Sequence, residues 1–142
     1  MYKDDSPSLS SGHSYSFTQT DFTQCKGNQY GGAICLEGSS YQRTTSLYII
    51  DATFTECYAE EGAGIYVDSI DSLKVSSSFF YNCGNADTVR GGGICMHTIT
   101  THEIKESMFL SQRTNEDGGA LLFDSCTQNF HTITVKDIIF FH

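Results

Sequence analysis

Phe54-Thr-Glu-Cys57 is followed, five residues after its cysteine, by Gly62-Ala-Gly-Ile-Tyr-Val67. The same order of an aromatic, two residues, Cys or a substitute, a short loop and a Gly-rich apolar stretch occurs three more times. Phe22-Thr-Gln-Cys25 leads to Gly31-Gly-Ala-Ile-Cys-Leu36, Phe80-Tyr-Asn-Cys83 to Gly91-Gly-Gly-Ile-Cys-Met96, and Phe109-Leu-Ser-Gln112 to Gly118-Gly-Ala-Leu-Leu-Phe123. A fifth copy opens at Phe140. The five anchor phenylalanines are 32, 26, 29 and 31 residues apart, so loops absorb length differences around a fixed cross-section.

Working outward from the anchor, Phe17, Ile49, Val75, Ile104 and Val135 stand five residues before it, and Tyr15, Leu47, Leu73, His102 and Ile133 seven before it. A spacing of two is the period of a strand. No window carries the apolar i, i+3, i+4, i+7 pattern of a helix, and a propeller blade needs roughly 40 residues or more. What remains is a parallel β-helix, in which each repeat is one coil and equivalent residues stack at about 4.8 Å. The predicted core is a set of ladders: the anchors Phe22, Phe54, Phe80, Phe109 and Phe140, the two upstream series, Ile34, Ile65, Ile94 and Leu121, and Leu36, Val67, Met96 and Phe123. The glycines Gly31, Gly32, Gly62, Gly64, Gly91, Gly92, Gly118 and Gly119 mark corners that need positive φ or close backbone approach. A phosphate cradle would require a helix after such glycines, and here a strand comes next.

Gly31-Gly-Ala-Ile34, with Gly91-Gly-Gly-Ile94 and Gly118-Gly-Ala-Leu121 one change away, resembles the Gly-Gly-Ala-Ile signature of the polymorphic outer membrane proteins and similar right-handed β-helix surface proteins. The resemblance covers roughly residues 15 to 142. In that family an Asn three residues after the Phe is expected to form a hydrogen-bonded ladder at a turn; here Cys25, Cys57 and Cys83 take the place, and Gln112 the fourth. The resemblance implies a right-handed coil and an extracellular or cell-surface protein acting as adhesin, passenger or rod.

The chain of 142 residues has 17 acidic and 8 basic residues, a formal net charge of -9. That balance argues against a phosphate-backbone binder, because nothing would release counterions. No apolar run approaches the roughly 20 residues of a membrane-spanning helix. Parallel β-helices also carry polysaccharide hydrolases, which need two carboxylates ~6.5–9.5 Å apart if inverting. Asp51, Glu106 and Asp137 each precede an anchor by three, but Ser77 interrupts the series. Asp68 with Asp71, Glu60-Glu61 and Glu116-Asp117 are candidate calcium ligands without a diagnostic spacing. Cys95 with His97, and His97 with His102, are the nearest groupings to a zinc site, short of four convergent ligands. Tyr30, Tyr41, Tyr58, Tyr66 and Tyr81 are candidate sugar-stacking residues. The expectation is no cofactor and no metal, and no catalytic residue is assigned.

Stacking places Cys25, Cys57 and Cys83 in one column, where at most one disulfide can form. Cys35 and Cys95 share another column with Tyr66 between them, about two coils apart, and Cys126 has no aligned partner. Buried thiols filling a column are the favoured reading over a disulfide framework. Residues 1–14 read as a polar leader or linker, and 15–142 as the solenoid. A fifth repeat stopping after its anchor implies flanking coils or head-to-tail self-association. The expected protein is an all-β, right-handed parallel β-helix of about four and a half coils. Its expected role is structural or adhesive at a cell surface or outside the cell, with self-association or a host-surface or glycan ligand, and the alternative is a carbohydrate-active β-helix.

Overall fold

The computed structural model describes residues 8–9, 13–38, 45–124, 133–136 and 139–141, with side chains over 13–38 and 45–124. Fifteen short strands succeed one another without a helix among the described residues. The first are β1 (Ser8–Leu9), β2 (Ser14–Thr18) and β3 (Asp21–Thr23). Then come β4 (Ile34–Glu37), β5 (Ser46–Ile50) and β6 (Thr53–Thr55), and next β7 (Ile65–Asp68), β8 (Ser72–Ser76) and β9 (Phe79–Tyr81). The last two coils contribute β10 (Ile94–His97), β11 (Thr101–Lys105), β12 (Met108–Leu110), β13 (Leu121–Asp124), β14 (Ile133–Lys136) and β15 (Ile139–Phe141). Every third strand pairs in parallel, giving three five-stranded sheets: sheet A is β1-β4-β7-β10-β13, sheet B β2-β5-β8-β11-β14, and sheet C β3-β6-β9-β12-β15. The architecture is a parallel β-solenoid.

The register is that of the repeats. Phe22, Phe54, Phe80, Phe109 and Phe140 are successive partners in sheet C, and Ile34, Ile65, Ile94 and Leu121 in sheet A. In sheet B, Phe17, Ile49, Val75, Ile104 and Val135 form one column, and Tyr15, Leu47, Leu73, His102 and Ile133 another. The rings of Phe22, Phe54, Phe80 and Phe109 stack at 4.8, 4.5 and 4.6 Å with interplanar angles of 13°, 2° and 9°. Isolated ring pairs favour offset or edge-on contact; here the coil repeat holds them parallel. Phe54, Phe80 and Phe109 are buried, while Phe22 on the first coil is half-buried.

The structure corrects two expectations. Phe123, expected inside, is 38% exposed, because it ends its described column and has Met96 on one side only. Pairing also reaches into the stretch read as a leader: Ser8 and Leu9 are registered against Cys35 and Leu36, and β2 begins at Ser14. Backbone pairing does not require an apolar side chain, so serine is no barrier to a strand there.

The corners are built differently from a glycine-only scheme. Gln19, Asp51, Ser77 and Glu106 turn sheet B into sheet C with φ of 49–55°. Gln24, Glu56, Asn82 and Ser111 leave sheet C with φ of 49–57°, and Ser69 and Thr98 join A to B at 54° and 48°. The bends entering sheet A use glycine, at Gly31, Gly62, Gly91 and Gly118. From Gln19 to Thr98, the non-glycine left-handed residues aim their N–H groups along the stack, so the ladder continues round the bend: Asp51 N–H donates to Ser76 O at 3.1 Å, Glu56 to Tyr81 O at 2.9 Å and Ser69 to His97 O at 3.2 Å. That bond offsets a conformational cost of roughly 1–2 kcal/mol for a non-glycine residue.

Gly62 cannot be treated the same way. Its φ is +61°, and a Cβ there would collide with the carbonyl oxygen of Ile65. Gly62→Ala is therefore expected to cost about 2 kcal/mol or more, whereas Asp51→Gly, at an exposed corner, keeps stability within about 1 kcal/mol of the parent. Urea unfolding of both variants measures the contrast.

Candidate functional site

The column three residues after the anchor lies inside the solenoid. Cys57 Sγ donates to Phe22 O and Thr55 O, both at 3.6 Å, and Cys83 Sγ to Phe54 O at 3.5 Å and Tyr81 O at 3.7 Å. Gln112 Nε2 makes the equivalent pair to Phe80 O and Leu110 O, each at 2.9 Å. Each of these three therefore bonds the anchor carbonyl one coil back and the carbonyl two residues before itself, while Cys25 on the first coil makes only the second kind, to Thr23 O at 3.8 Å. An Asn ladder would make the same kind of connection; here thiols and one longer amide make it. None of Cys25, Cys35, Cys57, Cys83 and Cys95 is in a disulfide. The hydrogen bond to Cys83, reinforced by burial, pushes the Cys57 thiol well above its ordinary value, and burial raises Cys25. Cys57 is thus a structural donor, poor in thiolate.

A second internal column escapes the sequence reading. Ser78 Oγ donates to Ser76 O at 2.8 Å and accepts Ala52 N–H at 3.2 Å; Ser107 Oγ donates to Lys105 O at 2.8 Å and accepts Ser78 N–H at 3.2 Å. Both serines are buried and satisfied. Their one sequence signal is a hydroxyl two residues before an anchor, at Thr20, Ser78 and Ser107, with Ala52 and Ile138 breaking the series.

The outer surface of sheet A is not an open face. Tyr30, Glu61 and Arg90, each immediately before a corner glycine, are bridged in parallel, Tyr30 to Glu61 and Glu61 to Arg90. They lie over the outward column of Cys35, Tyr66, Cys95 and Leu122. Tyr66 is 5% exposed and Cys95 fully buried. The Tyr66 ring sits 4.4 Å from that of Tyr30 and 5.4 Å from the His97 imidazole, and burial with Asp68 alongside keeps its phenol protonated far above the usual range. Tyr66 is thus a packing residue and cannot stack a sugar.

Around it lies the densest grouping of ligating atoms among the described residues. Cys95 Sγ is 3.2 Å from His97 Nε2, and that nitrogen is 3.4 Å from Glu61 Oε2. Glu61, Cys95 and His97 present atoms all within 4.8 Å of one another. His97 Nδ1 faces Asp124 Oδ2 at 3.4 Å, and Arg90 Nη1 holds the same oxygen at 3.8 Å. Three coils contribute. The sequence pairs Cys95 with His97 through their spacing, but Glu61 comes from the preceding coil. Its place directly before Gly62, in register with Tyr30 and Arg90, is the signal that could have found it.

The other candidates do not converge. His102 points into the core, 2% exposed and 4.9 Å from the Phe123 ring, away from the outward-facing His97. Asp51 and Glu106 are exposed corner residues with Ser77 between them, and Ser77 Oγ donates to Glu106 Oε2 at 3.3 Å. Asp68 accepts from Ser69 Oγ at 3.1 Å, Glu60 is exposed while Glu61 folds onto sheet A, and Glu116 and Asp117 are exposed. Tyr58 is half-buried and Tyr81 is 39% exposed. Tyr41, Cys126 and Asp137 lie outside the described residues.

Sheet C has an outer face that changes along the stack. Asp21, Thr23, Thr53 and Thr55 give way to Phe79, Tyr81, Met108 and Leu110, with Ile139 and Phe141 at the next register positions. The Phe79 and Tyr81 rings lie 6.1 Å apart at 14°. Apart from Ile50, which is 40% exposed, sheet B remains hydroxylic and charged, with Ser16, Tyr48, Lys74 and Glu103 in one outward column. No known family, curated protein or solved structure matches the chain.

The thiols should divide by position. In the folded, reduced protein at about pH 8, half-buried Cys25 and Cys35 are expected to be alkylated, and buried Cys57, Cys83 and Cys95 at least ~100-fold more slowly until denaturant is added. Peptide mapping after timed iodoacetamide labelling reads this directly.

Proposed function

We propose that this solenoid is a structural, adhesive rod of the cell surface or extracellular space, without catalytic activity, that associates laterally with a second copy through the outer face of sheet C. The observation that carries the reading is the switch of that face from Asp and Thr to Phe79, Tyr81, Met108 and Leu110. A flat apolar sheet face is stabilised by covering it, and sheets stack face to face at about 10 Å. A second copy offers a surface of the same shape and the same columns, which is how two-fold contacts form. The repeat motif resembling surface β-helices, and the hydroxyl-rich outer face of sheet B, support the placement outside the cell.

Sedimentation velocity over a concentration series tests it. The parent chain is expected to show reversible association, weakened about tenfold or more by Tyr81→Ser with Leu110→Ser. A chain still monomeric at about 1 mM, where even roughly −4 kcal/mol of association would register, removes the proposal. Release of reducing sugar from an acidic or neutral polysaccharide would replace it with the carbohydrate-active reading.

A further inference from the structure

We infer that Glu61, Cys95 and His97 form a binding site for a divalent transition-metal ion, zinc by preference, that clips adjacent coils together on the outer side of sheet A. The argument is geometric. A tetrahedral zinc with S, N and O ligands at about 2.3, 2.05 and 2.0 Å places sulfur and nitrogen ~3.5 Å apart and nitrogen and oxygen ~3.3 Å apart. The corresponding separations are 3.2 Å for Cys95 Sγ to His97 Nε2 and 3.4 Å for His97 Nε2 to Glu61 Oε2. The third pair, Cys95 Sγ and a Glu61 carboxylate oxygen, lies within 4.8 Å, and closing it toward the ~3.5 Å of a tetrahedral zinc admits the ion.

The surroundings match as well. Metal binding through Nε2 requires the proton on Nδ1, and Asp124 Oδ2, 3.4 Å from Nδ1, favours that tautomer. Arg90, at 3.8 Å from the same oxygen, holds Asp124 in place. Gly91 keeps the backbone close: a Cβ there would come within 2.7 Å of Cys95 Cβ. Cys95 is fully buried, whereas the side chains of His97 and Glu61 are 16% and 22% exposed, so the ion has an approach and a fourth position facing solvent. The charges balance: a Zn2+ ion, one thiolate and one carboxylate sum to zero. A soft thiolate and an imidazole select zinc or cobalt over calcium and magnesium. Binding displaces the Cys95 thiol proton to solvent, one per ion.

Cobalt(II) reads the site. The reduced, chelator-treated chain titrated with Co2+ is expected to develop a thiolate-to-cobalt charge-transfer band saturating at one ion per chain, with one proton released. Zn2+ should bleach that band. Asp124→Asn is expected to weaken binding ~10–100-fold, and Cys95→Ser, His97→Asn and Glu61→Gln by more; Cys35→Ser should leave it unchanged. Absence of the band, a band that survives Cys95→Ser, or an affinity indifferent to His97→Asn and Glu61→Gln overturns the assignment. Because Cys95 is buried, circular dichroism of each variant accompanies the titration; the partly exposed His97 and Glu61 variants decide the matter if Cys95→Ser unfolds.

Discussion

Parallel backbone pairing between coils is the constraint on which every other feature of the molecule depends. It spaces equivalent residues at about 4.8 Å and allows no column to slip without moving the whole coil. Each inward position therefore becomes a ladder, and a ladder accepts only side chains that tolerate a copy of their own kind above and below. Phenylalanine does so by stacking flat, and isoleucine and leucine by interdigitating. Cysteine and glutamine do so because each can donate along the stack, and serine because its hydroxyl accepts the neighbouring coil's N–H. The bends obey the same rule: outside the glycine bends that enter sheet A, where a Cβ would strike the backbone, a left-handed residue is accepted wherever its N–H keeps the ladder going.

The same constraint explains which parts of the molecule are legible in the residues alone. The anchor series beginning at Phe22 and the Ile34 series share phase and chemistry, so the columns and their register can be aligned directly. Corners such as Asp51, Ser77 and Glu106 look like acids with an interruption, because nothing in their chemistry marks them as left-handed. Their conformation is imposed by the coil and stabilised by a tertiary hydrogen bond. The Phe123 column gives the residue its correct register, yet its exposure depends on the coil stacked beyond it. The polar composition of residues 1–14 hides β1, because strand pairing there rests on backbone, which composition does not report.

The Glu61, Cys95 and His97 cluster illustrates the same boundary from the other side. A spacing of two puts Cys95 and His97 on one face of a strand, and this is legible. Bringing Glu61 to them needs the turn at Gly62, the bridge from Glu61 to Arg90 and the burial of Tyr66 in the column beside them. A site assembled from neighbouring coils appears only after the coils are aligned and their outer decorations are traced as columns too.

The internal thiol and amide column has a direction. Cys57 bonds the Phe22 carbonyl, Cys83 the Phe54 carbonyl and Gln112 the Phe80 carbonyl, always toward the N-terminal neighbour. The corner amides reach the other way, from Asp51 toward Ser76. Each coil thus carries matched plugs on one side and sockets on the other. Whole coils are for this reason the natural unit by which such a solenoid can lengthen or shorten: one added or removed intact leaves every remaining connection of the same type, whereas a partial coil leaves both kinds unmatched.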